Sequence, residues 1–211
     1  FFLHCLILIL NYGSIWVIIM SNKILVLDTE LTCFETSADS LEKGPYEIIQ
    51  FGMALVNLDN LEILKSGSYF VNNERHEVSS FCTNLTGITQ SMLYKQGLPL
   101  GHVSELLRER WGVASKKTQV VCWGDEPALM RPDFDIKCVD YPFRDNLLDL
   151  SHYHKFGKPF QKGFTLLDVA AEYGVEVERP IHNAKNDAIT TARLLIAMIK
   201  RGCIWPWLNS N

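Results

Sequence analysis

The chain has 211 residues, of which 47% are hydrophobic and 21% are charged, so it is long enough for one α/β domain with a sizeable core, and its composition argues against overall disorder. Six scattered cysteines form no C-x-x-C pair, which argues against a zinc ribbon or a dense disulfide framework and favours a reducing compartment, the cytoplasm. The net charge of −4 speaks against phosphate binding through Lys and Arg, unless some of the carboxylates hold divalent cations.

Residues 1–19 are strongly apolar, contain no Lys, Arg, Asp or Glu, and do not begin with Met. They lack the positive n-region and the clear cleavage site of a signal peptide. Their length is near the ~20 residues of a membrane span, but Asn11–Ser14 interrupts them. We expect residues 1–19 to be upstream read-through or an apolar leader, with a membrane anchor as the alternative. The single domain is expected over residues 20–205, without a stable membrane partner.

The first predicted strand contains four consecutive aliphatic residues, Ile24–Leu27, and ends in Asp28-Thr29-Glu30. Residues two apart in a strand point to the same face, so the two carboxylates would lie roughly 6–7 Å apart along the chain. Paired acids at the edge of a core are costly unless a positive charge lies between them, which favours a divalent metal. The alternative is that Asp28 begins a turn and Glu30 is solvated.

Two further strands are predicted over residues 47–56 and 63–71, with a turn at 57–60 between them. Together with the first strand they would form an antiparallel meander. After residues 31–35, residues 36–45 are predicted to form a polar loop, and residues 78–98 a loop with a short helix. A helix over 101–111 and a strand over 118–123 follow.

Asp125 is predicted to cap the next helix, with Pro127 in its first turn. Shorter helices are predicted over residues 147–153 and 166–173. The last helix begins near Asn183 and has small or apolar residues at helical spacing, namely Ala188, Ala192, Leu195 and Ile199. The predicted elements begin with three strands and continue with alternating helices and strands. This order predicts an α/β fold with a mixed sheet and helices on both faces.

His182 and Asp187 flank the start of this last helix, where the helix dipole favours a carboxylate. Together with Asp28 and Glu30 they are the parts that a two-metal phosphodiesterase needs. Carboxylates hold ions that stabilise the attacking and leaving oxygens, and a histidine deprotonates the water.

Four segments, in this order, resemble the DEDDh family of 3′-to-5′ exonucleases, which is similar to RNase T and the proofreading exonucleases. The similarity is greatest to the exoribonuclease branch that trims histone messenger RNA and small RNAs. The segments are residues 27–33, 47–52 and 81–90 and the pair His182 and Asp187. The resemblance runs from about residue 23 to residue 200. It implies an RNase H-like fold with a mixed five-stranded sheet whose first three strands are antiparallel.

The resemblance also implies two Mg²⁺ or Mn²⁺ ions held by Asp28, Glu30 and Asp187, with His182 as the general base. The Leu85-Thr86-Gly87-Ile88 segment would lie against the 3′-terminal nucleotide, and the backbone of Leu31 and Thr32 would approach its sugar. Phe34 follows the acidic strand closely enough to stack on a base, with core packing as the alternative. The implied partner is single-stranded nucleic acid, with RNA favoured, and the implied products are nucleoside 5′-monophosphates.

One position departs from the family pattern. The third carboxylate of this branch stands four residues after the Trp that ends the fourth strand, and Pro127 occupies that position here. We predict that Asp125, two residues earlier, supplies the missing acid, because an N-cap side chain at a strand end can face the sheet tip. If no acid replaces it, the chain would be a catalytically weakened nucleic-acid-binding module on the same fold.

Overall fold

The computed structural model describes residues 10–11, 14–15, 22–115, 118–144, 147–156 and 164–202. Leu10–Asn11 pairs with Ser14–Ile15 in a short antiparallel ribbon, and the rest of the predicted leader lies outside the described residues. Within the ranges given, every helix is too short or too polar to cross a membrane.

Five strands form the central sheet in the order β3-β2-β1-β4-β5. They are β1 (Lys23–Leu31), β2 (Ile48–Asn57), β3 (Glu62–Phe70), β4 (Gln119–Cys122) and β5 (Leu147–Asp149). The first three strands pair antiparallel, whereas β4 pairs parallel with both β1 and β5. The predicted mixed five-stranded sheet, with three antiparallel strands first, is confirmed.

Helices cover both faces of the sheet. They are α1 (Ser37–Lys43), α2 (Ser80–Thr86), α3 (Gln90–Gln96), α4 (Leu100–Trp111), α5 (Glu126–Ile136), α6 (Leu150–Lys155), α7 (Leu166–Tyr173) and α8 (Ala184–Lys200). Leu25 and Leu27 of β1 pack in a core with α4 and α5, whereas Ile24 and Val26 pack in a second core with α7 and α8. The same alternation directs Asp28 and Glu30 to the α8 side.

Two segments differ from their predicted structure. Residues 147–153 were predicted to be one helix, but they contain β5 followed by the start of α6. Such a short apolar run has no period that separates strand from helix, and β5 exists because Leu147–Asp149 pairs with Val120–Cys122. The predicted polar loop after β1 contains α1.

Candidate active site

Three carboxylates converge where the end of β1 meets the start of α8. Oxygen atoms of Asp28, Glu30 and Asp187 all lie within 4.8 Å of one another. The first two project from the same face of β1, and the third belongs to the first turn of α8. Side chains separated by more than 150 residues of sequence thus form one acidic cluster.

The neighbouring strand β2 fixes the start of α8 against β1. The Ala184 backbone N–H donates to the Gln50 side-chain oxygen at 3.0 Å, and Gln50 lies opposite Glu30 in the sheet. Gly52 lies opposite Asp28, and its lack of a side chain lets the Ala184 backbone approach closely. The acidic cluster therefore depends on a close contact between helix and strand.

His182 stands in the turn just before α8. Its backbone N–H donates to Asp187 Oδ2 at 2.9 Å, and its φ of 55° is in the left-handed region. Asn183 caps the helix by accepting the Asn186 N–H. This turn holds an exposed imidazole close in sequence and space to the acidic cluster.

Burial and mutual repulsion disfavour negative charge on the clustered carboxylates. Burial, followed by Asp187 and Glu126, raises the pKa of Glu30 to about 8. Burial, followed by Glu126, Glu30 and Asp187, also raises the pKa of Asp28. Burial raises the pKa of Asp187 against the opposing hydrogen bond and charge of His182. A bound cation would reverse these shifts.

The donor set suits a hard divalent cation. All three groups are carboxylates, the oxygen ligands that Mg²⁺ and Mn²⁺ prefer, and their spacing lets one ion contact all of them. A cation placed among these carboxylates would lower the pKa values that burial and their mutual repulsion raise.

The turn from β4 into α5 carries two adjacent acids that point in different directions. Asp125 is exposed, and its carboxylate accepts the Ala128 N–H as the cap of α5. Glu126 is buried, and its carboxylate accepts a hydrogen bond from the Thr29 hydroxyl. Burial raises the pKa of Glu126 to about 7, although the Thr29 hydrogen bond opposes this rise. Neither Asp125, the predicted site residue, nor its neighbour Glu126 is among the three converging acids.

The residues predicted to contact the terminal nucleotide have different surroundings. Thr86 and Ile88 are buried, and the Thr86 hydroxyl bonds to the backbone of Cys82 and Ile88, so both have structural contacts. Gly87 ends α2 with a φ of 73°. Leu85 is 40% exposed, and Phe81, one helical turn earlier, is 39% exposed. The i, i+4 spacing of Phe81 and Leu85 places these two exposed apolar side chains on the same face of α2.

On the other side of the first strand's end, Thr32 is buried and bonds to the Glu47 backbone through both its N–H and its hydroxyl. Leu31 packs against the core beneath α4 and α5. Phe34 stacks on Tyr46 at a ring-centroid distance of 6.4 Å, and the His76 ring meets it edge-on. Lys43 Nζ lies 4.9 Å from the Phe34 ring. Phe34 thus belongs to a partly exposed aromatic cluster.

Comparison with known proteins gives matches over most of the chain. ERI1 exoribonuclease 2 of Mus musculus is 29% identical over 205 residues, which cover 86% of this chain but only 29% of the mouse protein. The chain thus spans less than a third of that relative.

Among solved structures, the nuclease domain of 3′hExo, a DEDDh family member bound to rAMP, is 23% identical with a TM-score of 0.73, covering 87% of this chain and 94% of that one. A 3′-exonuclease described with the histone mRNA stem-loop has a TM-score of 0.76 at 22% identity, with 87% and 84% covered. At these identities the likeness establishes a shared fold.

The RNase T exonuclease model matches residues 25–195. This match begins in the strand that carries Asp28 and Glu30 and ends in the helix that carries Asp187. Since it covers most of the sequence and the folds agree, the chain belongs to the RNase T family of exonucleases.

Proposed function

We propose that this chain is a metal-dependent 3′-to-5′ exonuclease that releases nucleoside 5′-monophosphates from single-stranded RNA or short oligonucleotides. The observation that carries this proposal is the convergence of the carboxylates of Asp28, Glu30 and Asp187 within 4.8 Å. Family membership supports hydrolysis of a phosphodiester as the use of this cluster. The scattered free cysteines favour the cytoplasm as its compartment.

In this proposal Asp28, Glu30 and Asp187 hold two Mg²⁺ or Mn²⁺ ions. When bound, such ions stabilise the attacking and leaving oxygens of an in-line displacement. The turn into α5 offers Asp125 and Glu126 as a further carboxylate. His182 is exposed beside Asp187, where its imidazole would act as the general base that accepts the proton of the attacking water.

The terminal nucleotide would lie between the Leu85 segment of α2 and the backbone of Leu31 and Thr32. The exposed side chains of Leu85 and Phe81 supply an apolar surface for a base. RNA is favoured because the mouse relative is named an exoribonuclease. A backbone contact to the 2′-hydroxyl beside Thr32 would distinguish RNA from DNA.

The test is digestion of 5′-labelled single-stranded RNA and of DNA of the same sequence, with Mg²⁺ or Mn²⁺. We expect a ladder of stepwise shortened RNA, nucleoside 5′-monophosphates as products, and complete loss of activity in EDTA. Asp28→Asn and Asp187→Asn should be inactive, whereas Asp135→Asn, an exposed acid on α5, should behave as wild type. Shortening that persists in EDTA or in Asp28→Asn would contradict the proposal.

Pro127 favours one rival, a nucleic-acid-binding module that does not cut. Pro127 lies in the first turn of α5, at the position of the family's third carboxylate, and has no ligand atom in its side chain. Calorimetric titration with Mn²⁺ separates the two functions. Two bound ions per chain favour the nuclease, and RNA binding without any bound ion favours the module.

A further inference from the structure

The two acids in the turn from β4 into α5 differ in what they can reach. Asp149 anchors this turn by accepting the Gly124 N–H at 2.8 Å, and Gly124 adopts a φ of 98° that favours glycine. Beyond it, the Asp125 carboxylate is committed to capping α5 at the surface. Glu126 turns inward instead and is only 6% exposed.

Glu126 is held at the acidic end of β1 by a residue of the D-x-E motif itself. Thr29, between Asp28 and Glu30, is 7% exposed, and its hydroxyl donates to Glu126 Oε2. The middle residue of the motif thus connects the α5 side of the sheet to the end of β1. Thr29 fixes one carboxylate oxygen of Glu126 and leaves the second oxygen for another ligand.

Several carboxylates interact electrostatically with Glu126. They belong to Asp28, Glu30, Asp125 and Asp149. Among the described residues, no ion pair includes Glu126. A carboxylate buried among other carboxylates is costly unless it is protonated or a cation lies beside it.

Glu126 precedes the position of the family's third carboxylate, residue 127, by one residue. The length of the Glu126 side chain explains how it can still supply that carboxylate. Pro127 occupies the family position and fits the first helical turn, where its missing N–H costs nothing. Glu has one more methylene than Asp, so a carboxylate that starts one residue earlier reaches further across the turn. A capped Asp125 has neither this reach nor this direction.

We propose that Glu126 is the third carboxylate of the metal centre in this chain, and that the Thr29 hydroxyl is its positioning group. This inference rests on the proposed function, because it assigns a ligand to the second of the two ions. In this inference Glu126, and not Asp125, supplies the third carboxylate. The metal centre can therefore be complete even though Pro127 occupies the family position.

The experiment is calorimetric titration of the full chain with Mn²⁺ in the absence of nucleic acid. We expect two ions for the wild type and for Asp125→Asn, and one tightly bound ion for Glu126→Gln. Glu126→Asp keeps the charge but shortens the reach, so it should also lose the second ion. Melting curves in EDTA check folding, and Glu126→Gln should melt no lower than wild type because a buried acid among acids is removed.

Substitutions of Thr29 test separately whether its hydroxyl positions Glu126. Thr29→Val removes the hydroxyl and keeps the shape, so the second ion should bind about 10- to 100-fold more weakly, whereas Thr29→Ser should restore it. Equal affinity in Thr29→Val and wild type would overturn this part of the inference.

The reference variant Asp28→Asn distinguishes failure of the inference from failure of the proposed function. If Asp28→Asn still binds two ions, the proposed metal centre is wrong. If Asp28→Asn loses the ions while Glu126→Gln keeps both, the centre stands and the assignment of Glu126 is overturned. Loss of the second ion in Asp125→Asn would also overturn it.

Discussion

Substitution of Gly52 by alanine should displace the start of α8 from the metal centre. A Cβ atom at residue 52 would lie 1.9 Å from the Ala184 carbonyl carbon and 2.3 Å from the Lys185 nitrogen. Carbon atoms in contact prefer a separation of about 3.5–4.0 Å, so the two backbones would have to separate by at least about 1.5 Å. Both neighbours are main-chain atoms and cannot rotate away as a side chain can.

This displacement should slow catalysis, because catalysis needs Asp187 and Asp28 at an accurate distance from each other. Asp187 follows Ala184 by three residues in α8, whereas Asp28 is paired with Gly52 itself. A misplacement of about 1 Å can cost about 10²-fold in rate, which corresponds to about 2.7 kcal/mol. Overpacking should also lower the free energy of unfolding by about 1–3 kcal/mol.

The assay compares kcat/KM for labelled RNA in wild type, Gly52→Ala and Gly67→Ala. Gly67 is the matched control, because it lies in β3 and an added Cβ there would meet only the Trp111 side chain, at 3.1 Å. We expect a loss of about 100-fold in Gly52→Ala and only a small change in Gly67→Ala. Wild-type kcat/KM and an unchanged melting temperature in Gly52→Ala would refute the reasoning.

Three further predictions concern charge. The pKa of Glu30 is raised from its ordinary 4.5 to about 8, so its folded form holds a proton that the unfolded chain releases. In EDTA the melting temperature should therefore fall as pH rises from about 4.5 to 8, and Glu30→Gln or saturating Mg²⁺ should reduce this fall; an equal fall in Glu30→Gln would contradict the assignment. Asp28→Asn should abolish cleavage while the melting temperature in EDTA stays equal or rises, since carboxylate repulsion is relieved; a large loss of stability would show that Asp28 is structural. Asp133→Leu should lower the free energy of unfolding in urea by about 3–5 kcal/mol, because buried Asp133 accepts bonds from Arg75, Lys137 and the Ile48 N–H; a loss below about 1 kcal/mol, as expected for Asp135→Asn, would refute this.

The sequence predicted the long elements because their patterns are strong. The apolar run before Asp28 indicated β1, and small residues at helical spacing indicated α8 and its start near Asn183. Such segments carry the period of their structure and the chemistry of their ends.

What the sequence could not predict depends on tertiary contacts. β5 is a three-residue strand that exists through its pairing with β4. Adjacent acids at a helix start look equivalent in sequence, yet Asp125 caps the helix at the surface and Glu126 enters the interior toward Thr29. Only the path of the chain through the Gly124 turn separates these two directions.

The most direct measurement of the central claim is anomalous X-ray diffraction from crystals of the chain with Mn²⁺ and a nucleoside 5′-monophosphate. We predict manganese density in direct contact with carboxylate oxygens of Asp28, Glu30 and Asp187, with the phosphate of the nucleotide beside it. Manganese density away from the carboxylates of Asp28, Glu30, Asp187 and Glu126, in crystals of protein that shortens RNA, would contradict the proposed centre.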